Sequence, residues 1–171
     1  MNAESNSAVQ AYSCGSGNTV GQDTEISPVV KPDAVPTIDI PATKAIVVPA
    51  TQPIKRGNSS GFNVKTGAKL SFAADVPLLA RYILKLRYSN DHFADEPDKV
   101  RIVVAGRDMG PIVLQNTHPE EGLNRDGWAN IVETNLDIGS LEAGSANIDL
   151  IMEQTDIYGA EIHGIVLTPT P

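Results

Sequence analysis

Residues 81–88 read RYILKLRY. Tyr82, Leu84, Leu86 and Tyr88 recur at every second position, while Arg81, Lys85 and Arg87 share the intervening positions with Ile83. Alternate side chains of a β-strand point to opposite faces, so this spacing predicts a strand with one buried and one polar face. The apolar run ahead of it, VPLLA at 76–80, carries Pro77 and reads as a proline turn leading into the strand rather than as a helix.

Working outward, the same short apolar runs recur, rich in Ile, Val, Leu and Tyr and bounded by Gly, Asn and Asp. Strands are predicted near 44–48, 68–74, 81–88, 100–105, 111–115, 129–136, 146–152 and 161–167. No window of twelve residues carries a 3.6-residue apolar stripe. Eight short strands with turn signals between them predict an all-β protein, an antiparallel β-sandwich of jelly-roll type. Residues 1–43 are polar and interrupted by Pro28, Pro32, Pro36 and Pro41, and are expected to be a linker or an arm lying on the sandwich. The domain is expected over 44–168, with 169–171 beginning a second linker.

The chain has 171 residues and a net charge of -8, which disfavours nucleic acid and anionic membrane surfaces as partners. No apolar run reaches the roughly 20 residues of a membrane helix. Both ends read as linker, so a secreted or surface-attached module from a multidomain protein is expected, acting as a monomer. Cys14 is the only cysteine, which excludes an internal disulfide and the multi-cysteine zinc patterns. His92, His118 and His163 stand singly, without the paired spacing of a zinc or copper site. A glycosidase needs two carboxylates roughly 5–10 Å apart, but among 21 acidic residues chance pairs abound and argue for nothing. The acidic loop holding Asp91, Asp95, Glu96 and Asp98 lacks the framework of a calcium loop and carries Pro97, so a solvated loop is expected there.

Three segments in order carry more information: ADVPLLARYILKLRYSN at 74–90, DKVRIVVAGRDMGPIVLQNT at 98–117, and GWANIVETNLDIGSLEAGSANIDLIMEQTDIYGAEIHGIVL at 127–167. Their succession resembles carbohydrate-binding modules of families 6, 35 and 36, which share a galactose-binding-like sandwich. The resemblance implies a non-catalytic module that binds a polysaccharide or oligosaccharide for an attached enzyme or surface protein. It places Tyr88 and Trp128 as stacking rings, with Asn90, Asp91, His92, Asn130 and Glu161 beside them for sugar hydroxyls. Glu161 stands where many relatives carry an Asn; it accepts hydrogen bonds but repels acidic sugars unless Lys55, Arg56 or Arg125 lies near. RGNSSGFN at 56–63 reads as a polar turn that could join the cleft.

The family's structural calcium rests on a Glu-x-Glu in the first strand and an Asp in the last. Reading IVVPATQP as the first strand puts Pro49 or Ala50 and Gln52 at the Glu positions, and His163 replaces the Asp. With those carboxylates gone no cofactor is expected. The competing expectation is a structural or protein-binding sandwich that has lost sugar binding.

Overall fold

A computed structural model describes residues 35–91, 97–118 and 126–170. Eleven strands follow in order: β1 Ile38–Pro41, β2 Ile46–Val48, β3 Ile54–Arg56, β4 Ser59–Val64, β5 Lys69–Val76, β6 Ala80–Ser89, β7 Asp98–Val104, β8 Arg107–Leu114, β9 Val132–Leu141, β10 Gly144–Gln154 and β11 Ala160–Thr170. They form two antiparallel sheets, β3-β4-β11-β6-β9 with β1 also on β11, and β2-β5-β10-β7-β8. The expected all-β sandwich is the fold.

Apart from the hairpins β3–β4 and β7–β8, successive strands cross between the sheets, so the period-two runs of both meet in one core. Tyr82, Leu84, Leu86 and Tyr88 of β6 point inward, against Leu70 and Phe72 of β5, Val100 and Ile102 of β7, Ile148 and Leu150 of β10, and Ile165 and Leu167 of β11. On the outer face of β6, Arg81 pairs with Asp137 at 2.6 Å, Lys85 with Glu133 at 3.7 Å and Arg87 with Asp39. Burial of the apolar row drives the packing, and the outer pairs across strands lie in high dielectric, where each contributes little.

All eight expected strands have counterparts, and three further ones were hidden by composition. β3 and β4 form a hairpin around Gly57 and Asn58, the Gly-Asn turn of the RGNSSGFN segment, with Gly57 at φ 55. β1 lies inside the segment expected to be linker or arm: Ile38–Pro41 pairs with Leu167–Gly164 of β11, and Ile40 is buried. Proline density made this stretch read as extended chain, yet an edge strand tolerates Pro41. The ordered sandwich thus extends beyond both expected boundaries, from β1 to Thr170 at the end of β11.

β11 is the organising strand. One side pairs with β6 along its length; the other takes β4 at residues 160–162 and then β1 at 164–167. Between those two partners the register against β6 shifts at His163, a bulge that puts one extra residue on the outer face.

Candidate functional site

The loops β6–β7, β8–β9 and β10–β11 emerge at one end of the sandwich, and most of the residues singled out from sequence gather there. Asp126 caps a single 3-10 turn, Gly127–Ala129, by accepting from the Trp128 backbone N–H at 3.1 Å. Gly127 is required at this spot: a Cβ would fall 2.6 Å from the Asn90 carbonyl oxygen and 2.9 Å from Asp91 Oδ1. The close approach holds the turn down and leaves the Trp128 indole half-buried at the rim.

Over that ring lies Arg56, its guanidinium carbon 6.0 Å from the indole centre. Arg56 grips Glu161 with two nitrogens, Nη2 to Oε1 at 2.6 Å and Nε to Oε2 at 2.9 Å. Glu161 is 1% exposed, and this hydrogen bond, opposed by burial and reinforced by the Glu161 and Asp126 charges, holds the guanidinium above its ordinary pKa. The ion pair neutralises the floor of the rim and fixes the cation against the aromatic face.

Behind Glu161 runs a directed chain of hydrogen bonds. A carboxylate only accepts, so the Ser89 hydroxyl donates to Glu161 Oε2 at 3.4 Å and accepts from His163 Nε2 at 3.0 Å; His163 Nδ1 then accepts from Ser59 at 3.1 Å. Burial pushes the His163 ring below its ordinary pKa against the opposing pull of Glu161, with Arg56 and Arg87 adding to the fall.

Tyr88 is a correction to the expected pair of stacking rings. Its ring is 2% exposed between the sheets, and its hydroxyl donates to the Gln115 carbonyl at 3.1 Å, so it offers no face to a ligand. Burial drives the phenol pKa upward. Asn90 is likewise internal: its amide donates to Asp98 at 2.9 Å, its Oδ1 accepts from the Thr117 backbone at 2.9 Å, and Thr117 accepts from the Asn90 N–H at 2.9 Å. This knot ties the β6–β7 loop to the β8–β9 loop and uses up the hydrogen-bonding groups expected to hold a sugar. Glu161 is spent in the same way on Arg56.

Asp91 bonds His118 at 2.6 Å beside Gly127, and Asn130 is exposed, donating to the Thr117 carbonyl at 3.1 Å. His92 lies outside the described residues, as do Asp95 and Glu96. Of the loop acids that are described, Asp98 is fully buried rather than solvated. Sequence reasoning did not single out Tyr158, 53% exposed on the β10–β11 loop beside Ile157 at 75%. An aromatic residue within a Gly-bounded loop was the available signal. It gave Arg56 only a conditional place beside the ligand, and missed that Arg56 joins Trp128 to Glu161 across 105 positions of chain.

The calcium positions also need correcting. The strand that pairs with the closing strand is β1, not the 44–48 segment, and its outward residues are Asp39 and Pro41, beside His163. Pro49, Ala50 and Gln52 line a different cavity with Asn63 and Lys65. The described side chains there are one carboxylate, already paired with Arg87, a proline and a buried imidazole. Among the described residues no group of three or more His, Cys, Asp or Glu could hold a metal ion.

No protein-family model matches the chain, and no curated protein matches it in sequence. Solved structures do match in shape. A family 35 carbohydrate-binding module from Clostridium thermocellum superposes with a TM-score of 0.62 at 18% identity, covering 79% of this chain and 99% of that one. The C-terminal family 6 module of a marine laminarinase from Zobellia galactanivorans gives 0.60 at 18%, covering 78% and 99%. A module of lichenase 5A from Cellvibrio mixtus, solved with cellotriose, gives 0.59 at 17%, covering 80% and 98%. The chain has the fold of these modules.

Proposed function

We propose that the chain is a non-catalytic carbohydrate-binding module that holds an attached enzyme or surface protein against a polysaccharide outside the cell. The observation that carries this reading is the half-buried Trp128 indole, braced by Gly127 and Arg56 at the loop end of a fold shared with such modules. A pyranose ring presents an apolar C–H face that packs on an aromatic plane, while nearby polar groups meet its hydroxyls. Asn130 and the Asp91–His118 pair stand on the same loops, and Tyr158 is exposed on the neighbouring β10–β11 loop.

The Arg56 charge is matched by Glu161, so the rim suits a neutral sugar better than an acidic one. One ring gives weak single-site binding, and the gain lies in effective concentration: a tethered partner meets the polymer repeatedly without diffusing away. The module acts as a monomer without calcium. Affinity electrophoresis through gels containing neutral polysaccharides, with calcium and with a chelator, tests the reading. Retardation by one polymer class that survives chelation and disappears in Trp128→Ala is the expected result; retardation by none overturns it.

A second reading draws on β2. This edge strand pairs with β5 alone among the described strands and exposes Ile46 and Val48, a surface suited to another protein's strand. Capture of a partner that Ile46→Lys abolishes, with no retardation in any gel, would favour it.

A further inference from the structure

Gripping Glu161 uses only part of the Arg56 guanidinium. Its three hydrogen bonds to that carboxylate come from Nε and Nη2, and Nη1 has no acceptor among the described residues. A guanidinium carries five N–H groups in a planar fork and keeps its charge, so the edge turned from Glu161 still presents unspent donors. That edge is open to solvent: the side chain is 38% exposed, and among the described residues the one buried side-chain nitrogen or oxygen without a partner is Arg87 Nε, not Arg56 Nη1.

The distance to the ring restricts where a ligand can lie. The guanidinium carbon stands 6.0 Å from the indole centre, beyond the roughly 3.5–4.0 Å of direct contact, so it does not rest flat on the middle of the ring. A sugar wedged between the two planes would need about twice the contact distance, about 7–8 Å. A unit sharing this face of Trp128 therefore lies beside the guanidinium, where its hydroxyls meet the Nη1 edge.

The neighbouring groups complete the match. Asn130 donates from Nδ2 to the Thr117 carbonyl, which leaves its Oδ1 as an unspent acceptor among the described residues on an exposed side chain. Glu161 cancels the Arg56 charge, and the Asp126 charge, which also reaches Arg56, makes the rim hostile to a sugar carboxylate. The complementary unit is uncharged, with one hydroxyl that accepts and another that donates.

We infer that Arg56 is a specificity-determining residue of the Trp128 rim, donating from Nη1 to a hydroxyl of a neutral hexopyranose packed on the indole beside it. This rests on the loop-end reading and adds to it the residue that selects among sugars, since stacking alone accepts any pyranose with an apolar face.

The chain has one tryptophan, so its indole N–H gives a single NMR signal to follow. Methyl β-D-glucopyranoside, methyl β-D-galactopyranoside and methyl α-D-mannopyranoside are titrated into the full chain, followed by the monodeoxy derivatives of each one that binds. Both series are repeated in Arg56→Lys, which keeps a cation for Glu161 but removes the fork. Should lysine disturb the fold, Arg56→Gln combined with Glu161→Gln leaves no charge unpaired and serves the same comparison. The expected result is a saturable indole shift and an affinity about tenfold weaker in the variant. One deoxy sugar should lose about tenfold in the wild type and nothing further in the variant. Equal losses in wild type and variant for every deoxy sugar would make Arg56 only a brace for the ring, so the inference would fall while the loop-end reading stands. An indole signal that none of the three glycosides moves also overturns the inference, and polymer retardation that Trp128→Ala abolishes then decides separately whether the loop-end reading survives.

Discussion

The inner wall of β6 and the rim above it each hold one of two aromatic residues that the family resemblance offers as sugar platforms, and the molecule treats them in opposite ways. Tyr88 continues the inward row of Tyr82, Leu84 and Leu86 and ends in the core. Trp128 sits on a 3-10 turn outside any strand, where alternation does not govern which way a side chain points, and it reaches the surface. Motif position alone does not distinguish a packing ring from a binding ring; the local backbone does.

The sharpest way to break this contrast is to truncate both rings. Tyr88→Ala should lose roughly 3–5 kcal/mol of stability, as large-to-small changes at buried aromatics do, with its denaturation midpoint falling accordingly. Trp128→Ala should leave that midpoint within experimental error of wild type while polysaccharide retention weakens about 30-fold, the effect of removing a binding hot spot of about 2 kcal/mol. Should the tryptophan variant unfold instead, both rings belong to the core and the contrast disappears.

Next in size is Glu161→Gln, which leaves the Arg56 charge without its partner. Because Arg56 is itself 38% exposed, the expected loss is about 1–3 kcal/mol rather than the larger penalty of a fully buried pair. Thermal unfolding measures that loss, and a changed affinity for neutral against uronic-acid polymers tests whether the pair sets the rim's charge preference.

Smaller still is a pH dependence tied to His163. Its folded pKa lies below the ordinary 6.5, so the unfolded chain binds the proton first on acidification. The stability contributed by the neutral ring is present above pH 6.5. It falls away as pH drops below that value and is gone once pH passes the folded pKa. His163→Gln should flatten this part of the melting-temperature profile; a profile identical to wild type would assign the acid sensitivity to another group. Last, Tyr88→Phe removes one hydrogen bond to the Gln115 carbonyl and should cost about 0.5–1.5 kcal/mol, without touching sugar binding.

Much of the sandwich was legible because it rests on period two, and RYILKLRY, DKVRIVV and ANIDLIM each carry that period without interruption. β1, β3 and β4 escaped because strands of three to six residues, bordered or interrupted by Pro, Gly and Ser, leave too little alternation to count. The site was less legible for a different reason. Asn90, Asp91, Trp128, Asn130 and Glu161 do gather at one end, but whether a polar group faces ligand or serves the fold depends on partners far away in the chain. Asn90 meets Thr117, and Glu161 meets Arg56; no local pattern announces either pairing. Missing β1 had a similar cause, since proline marks both linkers and edge strands.

The pairing of β1 with β11 also determines where the described chain enters and leaves the sandwich. Glu161 lies near the Trp128 rim, whereas Thr170 pairs with Arg81 nine residues further along β11, about 30 Å away, and Ile38 lies opposite Leu167 near that same far pole. The described chain therefore enters β1 and leaves β11 at the same pole, remote from the rim, so neither of these crossings crowds the tryptophan.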